Sequence, residues 1–276
     1  MTAVLDTPAA DAGVLDALAP GAPGRWSHGG VTVTRVPGAD LHVHRERPLQ
    51  VHHDLCAADL GEALVARVGA MVHGAREFEL VLTGLVRSTV DDPLQAWTTY
   101  YRSSLDALAD GSAPFAPVHD RAARLVRGRS VLDLGSCFGF FPLRLARRGL
   151  EVTASDLCAG TVDLLDAVAA ELGVQLGTLV CDAAAVPRQD GCADTVTVLH
   201  VLEHLEADHG AAVLAEACRL ARLRVVVAVP LEDTATACHG HVRTFTLDTL
   251  AALGRRLPGR TTIHEHHGGW LVLDVG

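Results

Sequence analysis

Three carboxylates stand at or beside the ends of three short apolar runs: Asp133 in Val131-Leu132-Asp133-Leu134-Gly135, Asp156 after Val152-Thr153-Ala154-Ser155, and Asp182 in Cys181-Asp182-Ala183. The first run leads into Gly135-Ser136-Cys137-Phe138-Gly139 and then into a helical pattern from Phe140. The two glycines permit a tight turn and a close backbone approach to a ligand. A helix starting near Phe140 would direct free N–H groups at the same place. In an open α/β sheet the ligand sits outside the carboxyl ends of the strands, beside strand one. There Asp133 would accept from a cationic group. Asp156, 23 residues further on, would take ribose hydroxyls, and Asp182 would accept from an adenine amino group. This is nucleoside-binding chemistry. The dinucleotide fingerprint G-x-G-x-x-G fits less well, because Cys137 and Phe140 occupy its second and third glycine positions. Taken singly, each acid could also be a helix N-cap, Asp156 most readily.

A second group of residues suits proton transfer. His200-Val201-Leu202-Glu203-His204 follows a fourth β-branched run, and Glu232 follows a fifth in Val229-Pro230-Leu231-Glu232. Then comes His239-Gly240-His241-Val242-Arg243-Thr244-Phe245. His241 is the candidate general base, since a neutral imidazole can take a hydroxyl proton near neutral pH. Glu232 would orient it or bind a substrate hydroxyl, and His204 completes the candidate catalytic set. Arg243 would hold an anionic group or make an ion pair. The competing assignment for His241 is a histidine that packs or caps the next helix. His200, Glu203 and His204 would share a face if helical, and such side chains ligate divalent metals. His42/His44, His52/His53 and His264/His266/His267 form further dense groups. Without cysteine or carboxylate partners they read first as exposed strand histidines.

These residues need a scaffold, and the periodicity supplies one. Residues 1–30, rich in Ala, Pro and Gly, read as a loosely ordered lead-in. Val31–Val36 and Leu41–His44 read as strands joined through the turn Pro37–Asp40. Asp59 is expected to cap a helix running to about His73; further helices are expected over Glu77–Val86 and from Asp92-Pro93 to Gly111. Trp97, Tyr101 and Leu105 would pack that last helix onto the rest, or Arg102 beside Tyr100 and Tyr101 would reach a ligand carboxylate; both stay open. Pro114 and Pro117 mark a boundary. From about residue 118 short strands alternate with helices: strands over Ser130–Leu134, Glu151–Ser155, Thr178–Cys181, Thr195–Leu199 and Arg224–Val229, helices over Phe140–Arg148, Thr161–Leu172, Gly210–Ala221 and Leu247–Leu257. Thr261–Glu265 and Trp270–Val275 form a closing pair. This alternation means a mainly parallel sheet covered on both faces, with a terminal antiparallel hairpin.

Composition narrows the partners. The chain has 276 residues, 49% of them hydrophobic and 4% aromatic, so Ala, Val and Leu must build the core. A formal charge of −10 without a basic tract argues against nucleic acid or an anionic membrane surface as partner. Seven scattered cysteines suggest free thiols in a reducing cytoplasm. Neither a signal peptide in the first residues nor a membrane-spanning apolar stretch is expected.

Residues 131–139 resemble motif I of the class I S-adenosylmethionine-dependent methyltransferases, and Asp156, Asp182 and Asp194–Leu205 resemble the family's later motifs in order. The likeness covers about residues 118–276; Cys137 departs from it, standing where a glycine is usual. It implies a Rossmann-like, mainly parallel seven-stranded sheet in residues 118–276, with residues 31–117 as an N-terminal α+β extension that lids the cofactor or binds the acceptor. It implies S-adenosylmethionine, with S-adenosylhomocysteine as product, held by Asp133, Gly135, Ser136, Cys137, Gly139, Asp156, Leu157, Asp182, Ala183 and His200. Within the family the pattern is similar to oligosaccharide-modifying members, which implies O-methylation of a sugar or other small-molecule hydroxyl. N- or C-methylation, or a non-catalytic binding module, are the alternatives. His200-x-x-Glu203-His204 also resembles the E-x-x-E-H metal site of ubiquinone-type O-methyltransferases with its first ligand changed, so a divalent metal ranks as a second option.

Overall fold

The structure, a computed structural model, describes residues 17–236 and 240–275. The expectation about a leader segment concerns residues mostly outside that range, and His239 lies outside it.

Strands β1 (Arg25–His28), β2 (Val31–Arg35), β3 (His42–His44) and β4 (Leu49–His53) form a four-stranded sheet in the order β1-β2-β4-β3. Three helices follow, α1 (Glu62–Gly69), α2 (Ala75–Thr89) and α3 (Pro93–Asp110), and α4 (Ala116–Leu125) leads into the main body. That body alternates β5 (Ser130–Leu134), α5 (Phe140–Arg147), β6 (Glu151–Asp156), α6 (Ala159–Glu171), β7 (Gly177–Val180), β8 (Ala193–Leu199), α7 (Ala207–Leu220), β9 (Ala221–Val229) and α8 (Leu247–Gly254). The hairpin β10 (Arg260–Glu265) and β11 (Gly269–Asp274) closes it. The seven-stranded sheet runs β10-β11-β9-β8-β5-β6-β7, and only the pairings of β11 with β9 and β10 are antiparallel. Neighbours of β5 therefore step off in opposite directions, to β6 on one side and β8 on the other. This is the switch point at which open α/β sheets bind ligands.

Several expectations change. β2 and β3 are not hairpin partners: β4 lies between them, parallel to β2 and antiparallel to β3. Within residues 17–30 of the lead-in, the Trp97 indole N–H donates to the Ala17 carbonyl at 2.9 Å and β1 begins at Arg25. Asp59 ends a short 3-10 turn, and α1 starts after Gly61. Pro117 does not break the chain but sits in the first turn of α4, where its missing N–H costs no hydrogen bond.

The extension shares its core with the main body. Val33, Val51, Leu82 and Leu85 lie in one buried cluster with Tyr100, Tyr101, Leu143, Leu164 and Val168. The opposite side of the large sheet is a second cluster built on Leu134, Val198, Val227 and Leu271.

Candidate functional site

The loop after β5 is held by its own backbone and two serines. Ser136 N–H donates to the Ser155 carbonyl at 2.8 Å, and the Ser136 and Ser155 hydroxyls both donate to the Asp133 carbonyl, at 3.1 and 2.9 Å. Gly135 and Gly139 both have φ of +71°. A Cβ at 135 would stand 2.6 Å from Val201 Cγ2, and one at 139 would collide with Leu165. A Cβ at either position would clash with the protein's own side chains, so the loop conformation itself requires glycine there. Cys137 adopts φ +47°, a left-handed conformation that explains why a glycine would suit the position.

The three acids do different work. Asp133 is 4% exposed and accepts from the Thr197 hydroxyl on β8; burial pushes its carboxyl up to about 6. Its bond to Thr197 ties the end of β5 to β8. Asp156 accepts from the Cys137 N–H at 2.9 Å and the Cys158 N–H at 3.0 Å, one on each oxygen. Asp182 accepts from Ala184 N–H at 2.8 Å and pairs with His209 at 3.0 Å. Partial burial raises the Asp182 carboxyl, but these two partners outweigh it and hold it below the ordinary range. Val180 is the register partner of Asp156 across β6 and β7. Beside them Leu157 and Val180 are 72% and 46% exposed, two bare apolar side chains next to two acids. Leu157 and Ala183 were expected here; Val180 was missed, and its only signal was its place at the end of a strand, just before Cys181-Asp182.

Aromatic rings clamp the loop from the other side. Phe138 lies 5.8 Å from both Trp97 and Tyr100, and Phe140 lies 4.9 Å from Tyr101, centroid to centroid. Trp97, Tyr100 and Tyr101 are almost fully buried, whereas Arg102 is exposed beside Thr99, Ser103 and Asp106. The packing interpretation of α3 therefore describes these residues.

Beyond β8 and β9 the expected acid–base residues come together. His241 Nδ1 lies 2.8 Å from Glu232 Oε2, and the Thr236 hydroxyl donates to Glu232 Oε1 at 2.9 Å. Burial pushes the Glu232 carboxyl up, but its bonds to His241 and Thr236 overcome this and hold it below the usual range. The His204 ring is 4.9 Å from that of His241 and nearly perpendicular to it. Glu203 is fully buried, and neither carboxylate oxygen has a hydrogen-bond partner among the described residues; His200 Nδ1 stands 3.2 Å away in an ion-pair contact. One ligand atom each from Glu203, His204 and His241 lies within 4.8 Å of the other two. His200, at φ +54°, contacts the Phe115 ring at 5.0 Å. Arg243 sits 4.4 Å above Phe245, so its planar cation rests on an aromatic face.

The two halves are continuous. Val201, between His200 and the 3-10 turn at Leu202–His204, packs against Gly135 of the loop. Val242 N–H donates to the Glu203 carbonyl at 2.8 Å, tying the His241 segment to that turn. A Cβ at Gly240 would lie 3.3 Å from Ala75 at the start of α2, so the extension reaches the same segment.

Residues 131–223 match the family described as Methyltransferase domain, about a third of the chain. The ubiquinone biosynthesis O-methyltransferase of Xanthomonas euvesicatoria pv. vesicatoria (strain 85-10) is 33% identical over 127 residues, covering 39% of this chain and 52% of that protein. The chain thus spans about half the length of that curated relative. Among solved structures, a protein from Pyrococcus horikoshii OT3 has a similar fold, with a TM-score of 0.51 at 16% identity over 64% of this chain and 98% of its own. A SAM-dependent methyltransferase from Aquifex aeolicus gives 0.48 at 15% identity over 62% and 97%.

Proposed function

We propose that this chain is an S-adenosylmethionine-dependent O-methyltransferase, starting from the methyltransferase-domain match over residues 131–223. The site suits that cofactor. Asp156 and Asp182 offer acceptors to hydroxyl and amino groups, and Leu157 and Val180 offer apolar faces for a flat ring. The cofactor supplies an electrophilic methyl carbon on a sulfonium. Ser136–Gly139 and Asp156 would hold it, while Asp133 and Thr197 keep the loop in place.

The observation that carries O-methylation is the Glu232–His241 pair. With Nδ1–H donating to the Glu232 carboxylate, Nε2 is left as the basic nitrogen. It would take the proton from an acceptor hydroxyl as the oxygen attacks, and Glu232 would stabilise the protonated ring. His204, against the same ring, shapes the acceptor side. A positioned base of this kind contributes roughly 10²–10⁴-fold. His241→Ala should therefore lower kcat by about that factor while S-adenosylhomocysteine affinity, measured by calorimetry, stays within threefold. Full activity in the variant would remove His241 as base and favour N- or C-methylation. Binding without turnover on any acceptor would point to a non-catalytic module.

The acceptor class rests on resemblance. Asp-Leu-Gly-Ser-Cys-Phe-Gly-Phe-Phe, His-Val-Leu-Glu-His, and Val-Pro-Leu-Glu before Gly-His-Val-Arg-Thr-Phe are similar to the mycofactocin oligosaccharide methyltransferase. The acceptor would then be a glucose hydroxyl on the glycan of a peptide-derived redox cofactor. Methyl transfer from labelled S-adenosylmethionine to that glycan, against a panel of catechols and free sugars, tests this.

A second reading has its own support. Glu203, buried without a hydrogen bond, would gain a partner from a divalent cation shared with His204 and His241. Such an ion would supply a positive charge next to the acceptor oxygen, and Glu232 would orient His241 as a ligand. The predicted first ligand, His200, is replaced by His241 in this set. Loss of activity in a chelator, restored by added Mg²⁺ or Zn²⁺, would make His241 a ligand; activity unchanged in chelator would leave it as the base.

A further inference from the structure

The N-terminal sheet carries five histidines that the methyl-transfer reading does not use, three of them clustered on β3 and β4. On β3 and β4 the register pairs His42 with His52, Val43 with Val51 and His44 with Gln50. Val51 is fully buried and Val43 packs on the same core, so their face is the inner one. Side chains alternate along a strand, which puts His42, His44 and His52 together on the outer face. The neighbouring His53 belongs to the inner face: it is fully buried and bonded to the Ser88 hydroxyl at 2.8 Å. The three outer rings touch in sequence. His42 and His44 are 4.6 Å apart and His44 and His52 5.0 Å, centroid to centroid. The side chains of the three make no hydrogen bond to any described residue, and all are accessible. Their imidazoles present nitrogen donors from two adjacent strands, the ligand type that suits borderline-soft divalent ions.

We propose that His42, His44 and His52 form a binding site for a divalent transition metal of the Zn²⁺ class on the outer face of the N-terminal sheet. The rings would rotate on binding to bring one nitrogen from each to the ion, leaving a fourth position for water. The ion would cross-link β3 to β4. β3 is three residues long and pairs only with β4 among the strands, so this edge gains most from a clip. The site is independent of Glu203, His204 and His241, and the methyltransferase reading can fail without it.

The test is titration of the full-length chain with Co²⁺, followed by its visible absorption, and with Zn²⁺ by calorimetry. Wild type should bind one equivalent at this site. His44→Ala and the double variant His42→Ala/His52→Ala should each lose that equivalent or bind it at least tenfold more weakly. His204→Ala should retain it. Zn²⁺ should raise the Tm of wild type and His204→Ala, and should fail to do so through this site in His44→Ala. The proposal is overturned if His44→Ala binds with unchanged stoichiometry and affinity, or if wild type binds no metal beyond what His204→Ala loses. All three histidines are accessible, so the variants report on binding rather than on folding.

Discussion

Cys137 shows how a single residue's backbone carries information that its side chain does not. Its φ of +47° belongs to the region where a Cβ costs about 1–2 kcal/mol, and its N–H is committed to Asp156. Cys137→Gly should leave that hydrogen bond in place and raise stability by about 1 kcal/mol in denaturant titration, with S-adenosylhomocysteine affinity unchanged. A fall in stability would mean that the thiol's packing matters more than the backbone. Gly135 tests the opposite case: Gly135→Ala places a methyl group against Val201 and strains a left-handed φ. Cofactor affinity should drop at least tenfold, because the loop can relieve the clash only by moving. The loop glycines and acids were legible in the sequence because residue type and strand-end position are local properties. That Asp133 supports the loop while Asp156 and Asp182 stand beside bare apolar side chains was not, since it depends on Thr197 from a neighbouring strand.

At the scale of elements, α3 joins the extension to the glycine loop after β5. Its start is set locally: Asp92 accepts from Gln95 N–H at 2.7 Å, with Pro93 following. Asp92→Ala should cost about 1 kcal/mol. Its position is set by tertiary contacts, through Trp97 on Phe138 and Tyr101 on Phe140. Trp97→Ala removes a buried ring and should destabilise by about 3–5 kcal/mol. It should also weaken S-adenosylhomocysteine binding, because Phe138 loses the surface that holds its loop; calorimetry on the folded variant reads this directly. The helix was foreseeable from its cap and periodicity. The insertion of β4 between β2 and β3 was not, because turn residues report which strands are consecutive and not which are adjacent. Leu49–His53 also lacks a clean polar–apolar alternation, as one of its histidines is core.

For the whole molecule, the buried His53 and the half-buried His119 make acid stability predictable. Burial, aided by Arg35, lowers His53 to about 4, and burial with Arg144 lowers His119 to about 3. In His53 the Leu55 N–H donates to Nδ1, so the proton sits on Nε2 and faces Ser88. Both rings are neutral when folded and bind protons near 6.5 when unfolded. Their stabilising contribution is therefore full above 6.5 and is lost as pH falls towards 4 and 3. Asp133 opposes them between about 6 and 4, since its folded form holds the proton more tightly than the unfolded chain does. Denaturant midpoints should begin to fall as pH drops through 6.5 and keep falling towards 4, and His53→Gln should flatten that limb. The sequence by itself determined the order of strands and helices after residue 118 and placed the acids and glycines at the strand ends. Periodicity and turn chemistry are written within a few residues of each feature. The tertiary structure decided that Glu232, His241, His204 and Glu203 meet, that the extension shares one core with the sheet, and that His53 is buried while His52 is not. Each of those outcomes depends on which distant surfaces pack together, and on the desolvation that follows, neither of which is encoded in local spacing.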